Sequence, residues 1–167
     1  RLGEDGAITI RGISSNARNV GFEAGSAVYI EGVFQGRPLG NNQDLVDVDR
    51  VEVLRGPQGT LYGKNTTAGA ISLFTVRPGP DFTGRAEVQI GERDDQRYSG
   101  YVAGPLVADL VGFKLSAFRR TSEGFQTNLF NGEKYGYVDT VGGRVELRVT
   151  PGPWDLALRA DLNHDDS

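Results

Sequence analysis

Apolar and polar residues alternate with a period of two through much of the C-terminal half of the chain. From Val141 to Val149, one face carries Val141, Gly143, Val145, Leu147 and Val149, and the other Gly142, Arg144, Glu146 and Arg148. From Trp154 to Leu162, Trp154, Leu156, Leu158, Ala160 and Leu162 oppose Asp155, Ala157, Arg159 and Asp161. From Val111 to Ala117, Val111, Phe113, Leu115 and Ala117 oppose Gly112, Lys114 and Ser116. An earlier segment, Arg85 to Ile90, sets Ala86, Val88 and Ile90 against Arg85, Glu87 and Gln89. Alternation sustained in this way predicts β-strands with one apolar face. The N-terminal part has a different texture, with short apolar runs broken by Gly and Asn. The pattern changes at Arg77-Pro78-Gly79-Pro80, which predicts a boundary between a unit at 1–78 and a second at 79–167.

Alternation alone fits two architectures. In a soluble sandwich the apolar faces form a core and the charged faces meet water; in an outer-membrane barrel the apolar faces meet lipid and the charged faces line the lumen. Strand length and loop length favour the barrel. The predicted strands approach the roughly nine to eleven residues that a tilted transmembrane strand needs. The connections Pro105 to Asp109 and Thr150 to Pro153 are short, whereas Thr121 to Gly136 is long and polar. Barrels pair tight turns at one rim with long loops at the other. Tyr98, Phe118, Tyr137 and Trp154 fall near predicted strand ends, where interfacial aromatics belong. About five strands cannot close a membrane barrel, which needs at least about eight. Arg1 and the polar run Asn163-His164-Asp165-Asp166 are therefore read as interior points of a longer chain.

Composition narrows the chemistry. With no Cys, disulfide scaffolds, thiol catalysis and Cys-based zinc sites are excluded. A net charge of −4 argues against a nucleic-acid surface. No apolar stretch approaches the roughly 20 residues of a membrane-spanning helix, so any membrane crossing must be by strands.

The most informative stretch is Val48-Asp49-Arg50-Val51-Glu52-Val53-Leu54-Arg55-Gly56-Pro57-Gln58-Gly59-Thr60-Leu61-Tyr62-Gly63, followed by Asn65-Thr66-Thr67-Ala68-Gly69-Ala70-Ile71-Ser72-Leu73-Phe74-Thr75. Val51 and Val53 alternate with Glu52 in a short strand that Gly56-Pro57 interrupts. Gly63 and Gly69 suit crowded backbone, and Ala70 to Thr75 reads as a second strand. This string resembles the C-terminal plug motif of TonB-dependent outer-membrane receptors. Gly59 stands where that family often has Ser or Ala, Ala70 for Gly or Val, Ser72 for Asn and Arg77 for Lys. Upstream, Ile8-Thr9-Ile10-Arg11-Gly12 and Val28-Tyr29-Ile30-Glu31-Gly32-Val33 are similar to two further plug strands, in the family's order and spacing.

The resemblance implies a mainly β protein: a mixed α/β plug domain, followed by the first antiparallel strands of a transmembrane barrel of about 22 strands. It implies a receptor in the Gram-negative outer membrane, without cofactor or catalysis. The receptor takes up a scarce nutrient, with ferric siderophores the family's commonest ligands. Its energy would come through TonB and the inner-membrane complex behind it; the TonB box is not in this sequence. Arg55 and Glu52 would belong to a lock between plug and barrel glutamates, with Gly56, Pro57, Gly63 and Gly69 shaping the motif. Two loops, about 14–25 and 34–42, would face the ligand, offering Asn16, Arg18, Asn19, Phe22, Gln35 and Arg37. Arg and amide groups suit an anionic chelate and an aromatic suits its organic face. A soluble β-rich binding module, or a channel for cobalamin or oligosaccharide, remain alternatives.

Rival motifs are weaker. Gly59-Thr60-Leu61-Tyr62-Gly63-Lys64-Asn65 lacks the spacing and the Ser or Thr of a phosphate loop. Asp161, His164, Asp165 and Asp166 read as a solvated loop rather than convergent metal ligands. Asn65-Thr66-Thr67 matches a glycosylation acceptor by chance, and Asp94-Asp95 falls in an apparent turn with nothing catalytic near it in sequence.

Overall fold

The computed structural model describes residues 9–10, 13–14, 26–35, 45–57, 59–63, 66–92, 94–124, 126–127, 130 and 134–166. The chain forms two compact units, Arg1–Thr75 and Val76–Ser167. Among the described residues no helix is long and apolar enough to cross a membrane, which says nothing about crossing by strands.

In the first unit β1 (Thr9–Ile10) pairs with β2 (Ile13–Ser14). A four-stranded mixed sheet holds the rest: β3 (Ser26–Ile30), β4 (Val33–Phe34), β5 (Val48–Arg55) and, after the helical turn α1 (Gly59–Tyr62), β6 (Gly69–Thr75). Its order is β4-β3-β6-β5, with β6 parallel to β3 and antiparallel to β5. Val28 to Val33 is a hairpin and not one strand. Glu31 and Gly32 both have positive φ, at 52° and 79°, as a tight two-residue hairpin turn requires. Glu31 is an uncommon residue for that backbone region. It is held there by its side chain: Oε1 accepts from the Thr75 N–H at 2.5 Å and from Thr75 Oγ1 at 2.9 Å.

The motif of residues 48–75 folds as strand, helical turn and strand. Gly56, at φ 93°, ends β5 and donates to Ala68 O at 3.0 Å. Gly63, at φ 73°, closes α1 by donating to Gly59 O at 3.1 Å. Buried Thr66 then donates to Gly63 O at 2.8 Å and turns the chain toward β6. Gly69 opens β6 opposite Arg55, with φ 149°. A Cβ there would lie 2.2 Å from Leu54 O, so no side chain fits. Beneath this connection Ala27, Tyr29 and Ala70 form a small core against Leu54 and Tyr62.

The second unit contains β7 (Thr83–Ile90), β8 (Gln96–Val107), β9 (Val111–Ser122), β10 (Gln126–Thr127), β11 (Lys134–Tyr135), β12 (Val138–Val149) and β13 (Leu156–Asp165). Five of them form an antiparallel meander, β13-β12-β9-β8-β7, while β10 and β11 make a separate pair. Several sequence expectations change here. The alternation does not reveal β8, because Gly100, Gly104 and Pro105 interrupt it. The strand runs past Pro105 to Val107 with a register shift, the irregularity expected where a ladder residue has no N–H. The long polar connection gives Thr121 and Ser122 to β9 and holds the β10–β11 pair, and β13 begins at Leu156 and not at Trp154. The turns on one rim are tight: Leu110 N–H donates to Val107 O at 3.1 Å and Trp154 N–H to Pro151 O at 3.3 Å.

Replacing Gly69 by Ala is expected to destabilise the first unit by about 3 kcal/mol, from positive-φ strain plus a backbone clash. Pulse proteolysis in urea should show it as cleavage between residues 45 and 75 at a lower midpoint.

Candidate functional site

The plug motif comes first. Glu52 and Arg55 differ in parity and so project from opposite faces of β5. Glu52 sits across from Ser72 and accepts from Arg50 Nε at 2.8 Å, an exposed pair worth little by itself. That hydrogen bond is the largest influence raising the Arg50 pKa above its ordinary value. The Arg50 guanidinium also stacks 3.8 Å over the Phe74 ring. Arg55 is exposed at the strand end, beside the Gly56 turn. Gln35 is partly buried; its backbone N–H donates to Val28 O at 2.8 Å and its side chain to Val33 O at 3.2 Å. Asn16, Arg18, Asn19, Phe22 and Arg37 lie outside the described residues.

Two tyrosines that the sequence did not single out hold this motif. Tyr29 packs edge-on against Tyr62, with ring centroids 4.9 Å apart, and donates from its hydroxyl to Tyr62 O at 2.5 Å. Burial, with the nearby Tyr62 hydroxyl a lesser influence, raises the Tyr29 phenol above its ordinary pKa. The signal for Tyr29 is an aromatic inside an otherwise apolar strand run, which says it is buried but not which backbone oxygen takes its proton.

In the second unit the two sheet faces are inverted relative to a protein folded in water. The apolar face carries Val88, Val102, Leu115, Val141, Val145, Leu147 and Leu156, all exposed, and Ile90, Leu158 and Leu162 at 78%, 72% and 80% exposure. Patches of that extent are rare on soluble monomers, and this face is suited to hydrocarbon. Trp154, Tyr98 and Tyr137 are exposed near strand ends, as interfacial aromatics are. Phe118, expected among them, instead lies on the charged face and is buried. Its ring occupies the space above Gly142, where a Cβ would come within 2.5 Å of it.

The charged face is built around Glu146. Register places Glu146 directly across from Lys114 of β9 and Arg159 of β13. Glu146 Oε2 lies 3.3 Å from Lys114 Nζ and 3.0 Å from Arg159 Nε, while Oε1 lies 3.3 Å from Arg148 Nε. The Lys114 and Glu146 side chains are 0% and 1% exposed. Removing one partner of such a buried pair strands a charge, at a typical cost of about 3–5 kcal/mol. Arg148 Nη1 continues the row to both oxygens of Asp155, at 2.9 and 2.7 Å. Arg144 pairs in register with Asp161, and Arg120 holds Asp95 in the turn after β7, at 3.2 and 3.3 Å. Asp95 and Asp161 are thus parts of ion pairs, and His164 Nε2 lies 2.9 Å from Asp166. The sequence showed these charges on one face of each strand. Which charge meets which depends on register, which alternation does not give.

A plug-like mixed sheet, followed by long strands with an apolar face outward and charges covered, defines a plug domain joined to the opening strands of a membrane barrel. The comparisons with known proteins agree. Residues 1–70 match the family model described as TonB-dependent Receptor Plug Domain. The pesticin receptor of Yersinia pestis is 34% identical over 158 residues, covering 92% of this chain and 23% of that protein. The crystal structure of the ferric yersiniabactin uptake receptor from Yersinia pestis superposes with a TM-score of 0.82 at 33% identity, covering 93% of this chain and 24% of that one. The pyoverdine outer membrane receptor from Pseudomonas aeruginosa shares the fold, with a TM-score of 0.75 at 24% identity over 95% of this chain and 22% of its own. The chain belongs to the TonB-dependent receptors, and it spans about a quarter of the length of these relatives. By their names the relatives are receptors, not enzymes.

Tyr29→Phe is expected to cost about 1 kcal/mol at neutral pH, the usual value of one hydrogen bond. The raised phenol pKa means that this contribution is present below the ordinary tyrosine range and is lost as pH rises through the elevated value. Urea midpoints of wild type and variant, measured by proteolysis within residues 45–75, should therefore converge at strongly alkaline pH.

Proposed function

We propose that this chain is the plug and first barrel strands of an outer-membrane receptor that takes up a ferric siderophore, with the plug gating the barrel. The observation that carries the reading is the inversion of the second unit, with Leu158 and Leu162 exposed and Lys114 and Glu146 covered. A lipid surround makes that arrangement favourable. The named ligands of the relatives, yersiniabactin and pyoverdine among them, support a ferric chelate as cargo.

Each motif residue has a part in this reading. Arg55, exposed at the end of β5, is the plug half of a lock to barrel carboxylates beyond this sequence, and Glu52 helps shape the strand through Arg50. Gly56, Pro57, Gly63 and Gly69 fix the backbone that presents Arg55. Asn16, Arg18, Asn19, Phe22, Gln35 and Arg37 are the ligand-facing candidates. TonB would supply the force, since the outer membrane holds no ATP, and outer-membrane lipid would solvate the apolar face.

Deleting the full-length gene under iron limitation is expected to abolish uptake of one radiolabelled ferric siderophore and to identify it. Unchanged uptake of every chelate, with loss of cobalamin or oligosaccharide uptake instead, would overturn the iron reading. A second measurement tests the lipid surround. Val145→Arg should cost about 2–4 kcal/mol in a barrel refolded into bilayers, because the strand centre faces hydrocarbon. A cost within about 0.5 kcal/mol, the usual result at a water-facing position, would contradict it.

A further inference from the structure

Lys114 and Glu146 are the largest fully buried side chains among the described residues, and Lys114 makes a further contact beyond that pairing. Lys114 Nζ donates to Val76 O at 2.8 Å. Val76 is the residue that follows β6, and residues 76–82 lead from there to β7. A second contact holds the same segment. Gly112 shares the charged face with Lys114, two residues away, and Pro78 occupies the place of its missing side chain. A Cβ on Gly112 would lie 2.6 Å from Pro78 Cβ. The connecting segment is thus pinned at two points, by a charged hydrogen bond and by a proline seated on a glycine.

We propose that Lys114 is a positioning residue for transport, fixing the C-terminal exit of the plug to the barrel wall while the remainder of the plug moves. The inference rests on the receptor reading above. The chemistry suits the role. An ammonium on a flexible four-carbon stem can serve a carboxylate and a backbone carbonyl together, since it has three donors and no acceptor. Glu146 pairs with that ammonium where both side chains are buried, and Arg159 and Arg148 hold Glu146 in turn. Pro78 and Pro80 restrict the backbone of the pinned segment, so a hold at Val76 is carried along it. Force applied to the plug from its N-terminal side would then displace that side first, and the chain would return to the same starting point.

The test uses the full-length receptor in outer-membrane vesicles, with Lys114→Met, which keeps the stem and removes the charge, and Lys114→Arg as the conservative variant. Hydrogen exchange of the peptide covering residues 76–82 should quicken about tenfold in Lys114→Met, with the amides of β9 and β12 still protected. Planar-bilayer conductance should appear without ligand or TonB, and Lys114→Arg should restore at least part of both properties. Wild-type exchange and conductance in an inserted Lys114→Met would overturn the proposal. If that variant does not insert, Gly112→Ala decides, because it crowds Pro78 and leaves the charges in place. Faster exchange of residues 76–82 in Gly112→Ala supports the pin, and unchanged exchange overturns it. Absence of the unmodified protein from outer-membrane vesicles would overturn the receptor reading, and the pin with it, and is distinguished by needing no variant.

Discussion

A strand surrounded by hydrocarbon can leave no backbone group unpaired and can expose no charge to lipid. The second unit of this protein is arranged around that constraint. Each interior strand, β8, β9 and β12, is paired along both edges; Lys114, Arg144, Glu146 and Arg148 share one face, while Arg119 and Asp139 pair with each other toward the strand ends on the other. Once charges must share a face, they have to neutralise one another across strands. Glu146 meets that need by taking cations from β9, β12 and β13 together. A slip of one residue in any strand would send Lys114 or Arg159 to the lipid face, so the ion row and the register enforce each other.

The first unit follows a different logic. Its sheet is small, the buried cluster of Ala27, Tyr29 and Ala70 lies against Leu54 and Tyr62 among the described residues, and backbone geometry carries much of the specification. The turn at Glu31-Gly32, the closure at Gly63 and the crowded start of β6 at Gly69 each demand a particular backbone conformation. Tyr29 and Glu31 stitch distant segments together by hydrogen bonds, Tyr29 to Tyr62 and Glu31 to both the N–H and the hydroxyl of Thr75. A unit held this way depends more on a few specific backbone contacts than on a broad apolar core.

The connection between the units takes its character from the second one. Val76 and Pro78 lie against Lys114 and Gly112, so the segment leaving the plug is treated as part of the strand sheet. Lys114 therefore serves both the Glu146 carboxylate and the Val76 carbonyl.

Much of this was legible in the sequence, because some physical rules are local. Alternation with period two exposed most of β7, β12 and β13 and the first part of β9, since side chains on a strand must point alternately. Gly56-Pro57 marked the end of β5, since neither residue continues a ladder comfortably. The plug motif was recognisable because its glycines and strand residues occupy fixed spacings. What the sequence left open depends on residues far apart in the chain. β8 was hidden by glycines and a proline, whose strand conformation is stabilised by β7 and β9 on either side. Phe118 looked like an interfacial aromatic until the fold set it over Gly142. That Glu146 meets Lys114 and Arg159, and that Lys114 reaches Val76, follows from register and from the path of the chain after β6. A strand's alternation is written in its own residues, but its register is decided by its neighbours, and so tertiary structure alone determined the charge row.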